Sequence, residues 1–436
     1  MNVEAGLIAL GILTGLLALR VPIGIALMAV GAGGIYYLRG FGPAFGMLRS
    51  VPFDFTAHWT LSAVPMFVLM SAIASHSGIT TDLYASMRLW FGKLPGGLAI
   101  ATSFAGAGFA AICGSSLATT AAMGRIAVPE MVRAGYDKSL AAGCAAAVGT
   151  VGALIPPSIL MVLYALFAQV SVGKMLVAGL LPGLLTTIAY ALMIGVRCHL
   201  NPSLAPKVDM RGITLRDKVK SLGRIWPVAL IATMVVGVIY GGFATATEAG
   251  AIGAVATALV AFSQRTLNSK GLMTCARETV LITATLLLIG IGATLLAQFL
   301  ALSGVPRFLS SSLQDITTNH VAIILICCLI YLVMGAFLDT IGIMLLTLPI
   351  LIPIFKTLGV NEIWAGVILV KMLEIGLLTP PLGMNVFVMN RVSGDSIKLG
   401  TIFRGVSWFL LVEVAIMAIL ILVPSVILFL PSMMEG

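Results

Sequence analysis

The 436-residue chain is 60% hydrophobic and 9% charged, with a mean hydropathy of +1.11 and a net charge of +9. Soluble domains are about a quarter charged, so this composition belongs in a bilayer, where the length accommodates about ten spans of ~20 residues and leaves no room for a soluble domain. The basic residues sit in loops between apolar runs and not on one polar face, which excludes a nucleic-acid footprint and points to topogenic charge.

Apolar runs predict spans at about 3–19, 22–38 and 58–77, a span broken near its middle over about 139–170, and one at about 174–199. No basic region or convincing cleavage site accompanies the first run, which is therefore expected to be a retained span. A Lys-, Arg- and Pro-rich linker occupies 200–223. The pattern then repeats at about 224–243, 245–264 and 277–302, with a second broken span over about 361–390 and a last one at about 403–430. Between the third and fourth spans of each half lies one more apolar stretch, at about 96–134 and 319–356. Each is interrupted, at Gly114-Ser115-Ser116 and at Leu338-Asp339-Thr340. Such a stretch is expected to be a re-entrant hairpin, because non-helical backbone survives at membrane depth only inside protein or beside water; two short complete spans are the alternative. Short amphipathic segments after Ser77-Gly78 and Ser303-Gly304 read as interfacial arms leading into the hairpins.

The two halves are copies. At a spacing of 224 residues Gly152 falls on Gly376, Leu154 on Leu378, Pro156-Pro157 on Pro380-Pro381, Pro129 on Pro353 and Gly135 on Gly359. Five spans in each half make the second copy inverted. Nineteen basic residues then fall on one side and five on the other, with Lys371 inside a span, so the richer side is cytoplasmic and both termini lie outside. The expected fold is an all-α polytopic membrane protein. Two inverted-topology repeats, 1–199 and 224–436, each carry five spans, one re-entrant hairpin and a Pro-broken helix.

Paired Gly/Pro interruptions in corresponding halves are the sequence mark of a secondary transporter's binding site. At the first tip, Ser115, Ser116, Thr119 and Thr120 stand where a half-helix begins. Its free N–H groups favour an anion, and the carbonyls of the turn favour a hard cation such as sodium; helix capping by serine explains the same residues and is compatible with both. Proline pairs cannot donate and leave carbonyls of the preceding turn unpaired, so GALIPPS and GLLTPPLGMN are rich in oxygen ligands, with Thr379 and Asn385 adding side-chain oxygens. A plain proline kink is the alternative, and finding two in matching positions speaks against it.

Ionisable groups at depth are examined as functional by default. Asp339, the counterpart of Ser115, could ligate a cation or cap the helix that starts at Thr340. Lys371 and Glu374, three residues apart, are expected to pair with each other. Glu248 opens a span as a favourable N-terminal charge. Arg125, roughly 13 Å along its helix from the tip, either meets a substrate carboxylate or anchors the cytoplasmic end. The six cysteines have no metal or disulfide spacing, the four histidines are scattered, and no phosphate loop or HExxH occurs. No enzyme chemistry or cofactor is expected, and transport must draw on a gradient.

The segments RVPIGIAL, GSSLATTAAMGRIAVPEMVRAGYD, GALIPPS, ATEAGAIGA, GAFLDTIGIMLLTLPILIPI and LLTPPLGMNVFVMN extend over nearly the whole chain. They resemble the large M-type (DctM-like) membrane subunit of tripartite ATP-independent periplasmic (TRAP) transporters, in the ion-transporter superfamily. The resemblance implies a sodium-driven elevator in a bacterial inner membrane that imports organic-acid anions, C4-dicarboxylates or sugar acids such as sialic acid. It also implies a periplasmic substrate-binding protein and a small four-span membrane subunit, which is not expected to be fused to this chain. Carried over residue by residue, sodium would be held by Ser115, Ser116, Gly152, Ile155 and Pro157 in one copy and by Asp339, Gly376, Thr379 and Pro381 in the other. Thr119, Arg125, Thr340 and Asn385 are the candidates for substrate contact. The alternative is a stand-alone sodium/carboxylate symporter of the same superfamily. A channel or an intramembrane enzyme would want a continuous polar path or a catalytic pair that the sequence does not offer.

Overall fold

The computed structural model describes residues 2–207, 212–317, 319–336 and 338–435, so part of the linker expected at 200–223, with Arg211, lies outside the described residues. Among these residues the chain is helical and contains no strand. The first half runs α1 (Val3–Ala18), α2 (Ile23–Arg39), α3 (Phe41–Thr56), α4 (Ala63–His76), α5 (Ile79–Phe91), α6 (Gly97–Cys113), α7 (Ser116–Arg133), α8 (Lys138–Val148), α9 (Ile159–Ala168), α10 (Val172–Ala178) and α11 (Leu180–Leu200). The short α12 (Leu215–Leu222) lies in the linker, and the second half runs α13 (Trp226–Tyr240), α14 (Ala246–Ser263), α15 (Ser269–Ser303), α16 (Val305–Ile316), α17 (His320–Gly335), α18 (Thr340–Leu358), α19 (Glu362–Gly376), α20 (Met384–Ser393), α21 (Leu399–Leu422) and α22 (Ser425–Ser432).

Two elements differ from the sequence expectation. The stretch between the second and third spans forms α3, whose aromatic residues Phe41, Phe45 and Phe53 are exposed. The last span ends at Leu422, where Pro424 interrupts the helix and α22 restarts after it. Six helical stretches among the described residues are long and apolar enough to cross a membrane unaided, while α1 and α2 are shorter and the broken spans are divided by their proline pairs. All six cysteines are free and buried, as small packing residues should be.

The packing falls into two regions. Helices α1, α2 and α3 lie on α15, α4 lies on α14 and α15, and α13 lies on α14, which forms a frame. Inside it the hairpins α6–α7 and α17–α18 meet the broken spans α8/α9 and α19/α20. The segments of the broken spans part company: α8 packs with α7 of its own half and α9 with α18 and α19 of the other, whereas α20 reaches back to α7 and α8. Tyr164 of α9 donates to the Glu362 carbonyl at 2.6 Å, and a side chain on Gly124 of α7 would meet Met389 of α20.

Each hairpin ends against a break. Gly114 closes α6 with φ of +62°, a conformation a side chain would strain, and any Cβ there would strike the Pro157 carbonyl. In the second half a Cβ on Gly376 would lie 2.7 Å from the Gly335 Cα. Gly376→Ala should therefore cost about 1–3 kcal/mol through forced separation of the two backbones. Gly33→Ala, where nothing lies within 4 Å, should leave stability intact or slightly raise it. Thermal melting of the two purified variants in one detergent checks this, and equal melting temperatures would remove the steric account.

Candidate functional site

At the first tip the backbone leaves α6 through Gly114, and Ser115, in an extended conformation, starts α7. The Ser115 hydroxyl accepts from the Ala118 N–H at 3.5 Å, and its carbonyl accepts from the Thr119 hydroxyl at 2.8 Å. A Cβ on Gly152 would fall 2.9 Å from the Ser115 carbonyl oxygen and 3.1 Å from the Ser116 nitrogen, so only glycine lets the break lie flat against the tip. The structure thus brings Ser115, Ser116, Gly152 and Pro157 together. Ile155 lies in the same loop, with its side chain against Gly183 of α11.

Residues 149–158 are buried throughout. Among the described residues no donor reaches the carbonyls of Leu154, Ile155, Pro156 or Pro157. Buried carbonyls are nearly always paired, so four consecutive ones without a donor among the described residues set this loop apart; the Leu154 carbonyl faces Gly179 and the Pro157 carbonyl faces Gly114. The Pro156–Pro157 and Pro380–Pro381 peptide bonds are both cis.

The second copy is arranged differently. The Asp339 carboxylate accepts from the Ile341 and Gly342 N–H groups at 3.2 and 3.3 Å, which makes it the N-cap of α18, and Thr340 follows it buried. The Thr379 hydroxyl donates to the Ile375 carbonyl at 2.8 Å. Gly376 is packed on the hairpin arm at Gly335, but Pro380, Pro381 and Leu382 are exposed. One break is sealed and the other faces outward.

Behind the tips lies a polar cluster that corrects one expectation. Lys371, Glu374 and Glu413 are each 0% exposed, yet Lys371 and Glu374 do not form an ion pair with each other. The Lys371 ammonium lies 2.7 Å from one Glu413 oxygen, donates to the other at 2.8 Å, and donates to the Thr186 hydroxyl at 3.0 Å. Tyr190 also donates to Glu413 and stands 3.3 Å from the Thr150 hydroxyl beside the first break. Glu374 instead accepts from the Ser116 hydroxyl at 2.5 Å. Spacing along α19 puts the two side chains near each other but cannot show that α11 and α21 offer Lys371 better geometry, while α7 offers Glu374 a hydroxyl. Sequence reasoning passed over Thr186, Tyr190 and Glu413. The signal was present in Glu413, the lone acid in the apolar run of α21.

Asn385 is buried near the same place, with its amide donating to the Ala146 carbonyl at 3.4 Å, which the Thr120 hydroxyl also reaches. Thr119 is buried in the first turn of α7. Arg125 is set apart: it is exposed and lines a cavity of about 410 Å³ with His76, Thr80, Thr81 and Glu278. Glu248 forms a capping box with Thr245 at the start of α14, as a favourable N-terminal charge should. At the loop entry to α8, burial pushes the Asp137 carboxyl up, but the Ser139 hydroxyl and the N–H groups of Leu140 and Ser139 outweigh it and hold the group below its ordinary range.

Residues 10–426 match the family model described as "Tripartite ATP-independent periplasmic transporter, DctM component". The chain is 35% identical over 381 residues to a C4-dicarboxylate TRAP transporter large permease protein DctM of Pseudomonas aeruginosa, covering 87% of this chain and 88% of that one. It is 30% identical over 427 residues to a sialic acid TRAP transporter large permease protein SiaM of Vibrio cholerae, covering 97% of each. Among solved structures, the YdaH transporter of Alcanivorax borkumensis superposes with a TM-score of 0.62 at 18% identity over 88% of this chain and 89% of that chain, a likeness of fold.

The corrected pairing makes an asymmetric prediction. Lys371→Met strands the Glu413 charge and should cost about 3–5 kcal/mol, whereas Lys371→Met with Glu413→Leu should recover most of that loss. Lys371→Met with Glu374→Leu should not, because Glu413 stays unpaired. Folded yield and melting temperature of the three variants decide the matter. If the Lys371/Glu374 double variant were the milder one, the pair would lie along α19 after all.

Proposed function

Because the chain belongs to the DctM family of tripartite ATP-independent periplasmic transporters, we propose that it is the large permease subunit of a sodium-driven importer of organic-acid anions, of the C4-dicarboxylate or sialic-acid type. The observation that carries the sodium assignment is the first break, where four buried carbonyls have no donor among the described residues, with the Pro157 carbonyl against Gly114 of the tip and Gly152 against the Ser115 and Ser116 backbone. Uncharged, hard oxygens in a dry site suit sodium and do not titrate. The N-terminal end of α7 favours an anion, whereas at α18 the Asp339 carboxylate already takes the Ile341 and Gly342 N–H groups. Thr119, Thr340 and Asn385 stand near those ends, and Arg125 serves farther along the path.

The chain is an integral protein of the bacterial inner membrane, as members of this family are. The 19-to-5 division of basic residues supports periplasmic termini. A small four-span membrane subunit and a soluble periplasmic binding protein complete the transporter, and the binding protein selects the substrate. The recurrence of arm, hairpin and broken span on either side of the linker supports two inverted repeats, and the separate frame supports an elevator in which hairpins and broken spans move as a body.

Uptake of a radiolabelled substrate should be measured in vesicles holding this chain, its small subunit and the binding protein. An inward sodium gradient should drive it, and a proton gradient without sodium should not. Ser115→Ala and Thr379→Ala should raise the half-saturating sodium concentration about five- to tenfold, the loss of roughly one polar contact. Asp339→Asn keeps the cap of α18 and removes only charge, so a sodium shift there would mark a ligand and none would mark a cap. Proton-driven uptake would overturn the sodium assignment, and uptake by this chain alone would overturn the need for partners.

A further inference from the structure

The buried charges do not balance. Lys371 is committed to Glu413, which leaves Glu374 as a second carboxylate, wholly buried, with a neutral hydroxyl as its partner. Its other oxygen, Oε1, has no hydrogen-bond partner, and neither does Oδ1 of Asn385. These two residues bracket the second break, and both reach the start of α7. Glu374 bonds to Ser116, and a side chain on Gly149 would meet the Ser116 carbonyl at 2.8 Å, the Asn385 amide at 2.9 Å and the Thr120 hydroxyl. An unpaired carboxylate oxygen at membrane depth is costly unless a positive charge accompanies it.

We propose that Glu374 Oε1 and Asn385 Oδ1 belong to a monovalent-cation site at the junction of α7, α19 and α20, with Glu374 supplying the negative charge and sodium as its occupant. This deepens the sodium-driven reading above and rests on it. It adds residues outside the ligand set expected from the family resemblance for either tip. A proton on Glu374 would also neutralise the charge, but it needs one acceptor, whereas two unpartnered oxygens, on residues that both reach the Ser116 turn, make a set suited to an ion. The cluster also joins the halves, because α19 and α20 come from the second copy and α7 from the first. An ion held here would fasten the second break to the first tip.

The test uses the full chain purified with its small subunit, and sodium chloride as the probe. Sodium-dependent thermal stabilisation should be titrated at constant ionic strength for the wild type and for Glu374→Gln, which still accepts from Ser116. The variant should need about tenfold more sodium or more, since a charged ligand is worth roughly twice a neutral one, and Glu374→Asp should restore part of the response. A superimposable curve for Glu374→Gln would overturn the proposal. A second readout needs no variant: labelling of wild-type Glu374 by a hydrophobic carbodiimide, read by peptide mass, should be slowed by sodium and not by potassium or choline. Labelling that responds to pH but not to sodium would assign the site to a proton and overturn the proposal as well. If wild-type uptake proves independent of sodium, the sodium-driven reading itself fails. If it depends on sodium while Glu374→Gln is unaltered, only this site fails.

Discussion

A polypeptide that leaves its helical path inside a bilayer must hide or use every carbonyl and N–H it frees, because no water is there to meet them. Most of the interior of this protein answers that constraint. The first break is sealed by its hairpin tip, and the second lies on its hairpin arm with Pro380 to Leu382 left exposed. Both approaches are possible because glycines at 114, 152, 335 and 376 let backbone lie against backbone. Side chains would open the contact and let the unpaired groups go unsheltered. The same close contact places serine hydroxyls, half-helix N-termini and free carbonyls within one small volume. The device that makes the broken spans tolerable also makes them suitable for ions.

The second constraint is electrostatic. Three ionisable groups with no exposed surface sit behind the first tip, held by helices α11, α19 and α21 together with α7. Taking such groups out of water is repaid only when geometry and additional hydrogen bonds are good, and Lys371 obtains both from Glu413 and Thr186. Tyr190 extends that network to Thr150, next to the first break. The packing of α11 and α21 is thereby tied to the conformation of the first break.

What could be read from the sequence is what leaves a local mark. Proline pairs, glycine-serine turns and apolar runs are local, and the helix interruptions and most helix bounds lie within a few residues of the positions they mark. Contacts across the fold leave no such mark. Lys371 and Glu374 are neighbours on one helix face, yet their partners come from residues 42 and 258 positions away. Helix α3 escaped because its exposed aromatics and charges break the apolar run used to find spans. Asp339 could be seen at a helix start, but only the N–H groups aimed at its carboxylate show it capping.

The exchange of α9 and α20 carries a consequence for the integrity of the whole. Each half packs its hairpin on a segment of the other as well as on its own, so the two are interlocked like protomers of a domain-swapped dimer, joined here by a linker. The covalent connection is thus the lesser bond between them. Severing the chain at its linker would leave two fragments still joined through α2 on α15, α4 on α14 and α8 on α21 as well as through α9 and α20.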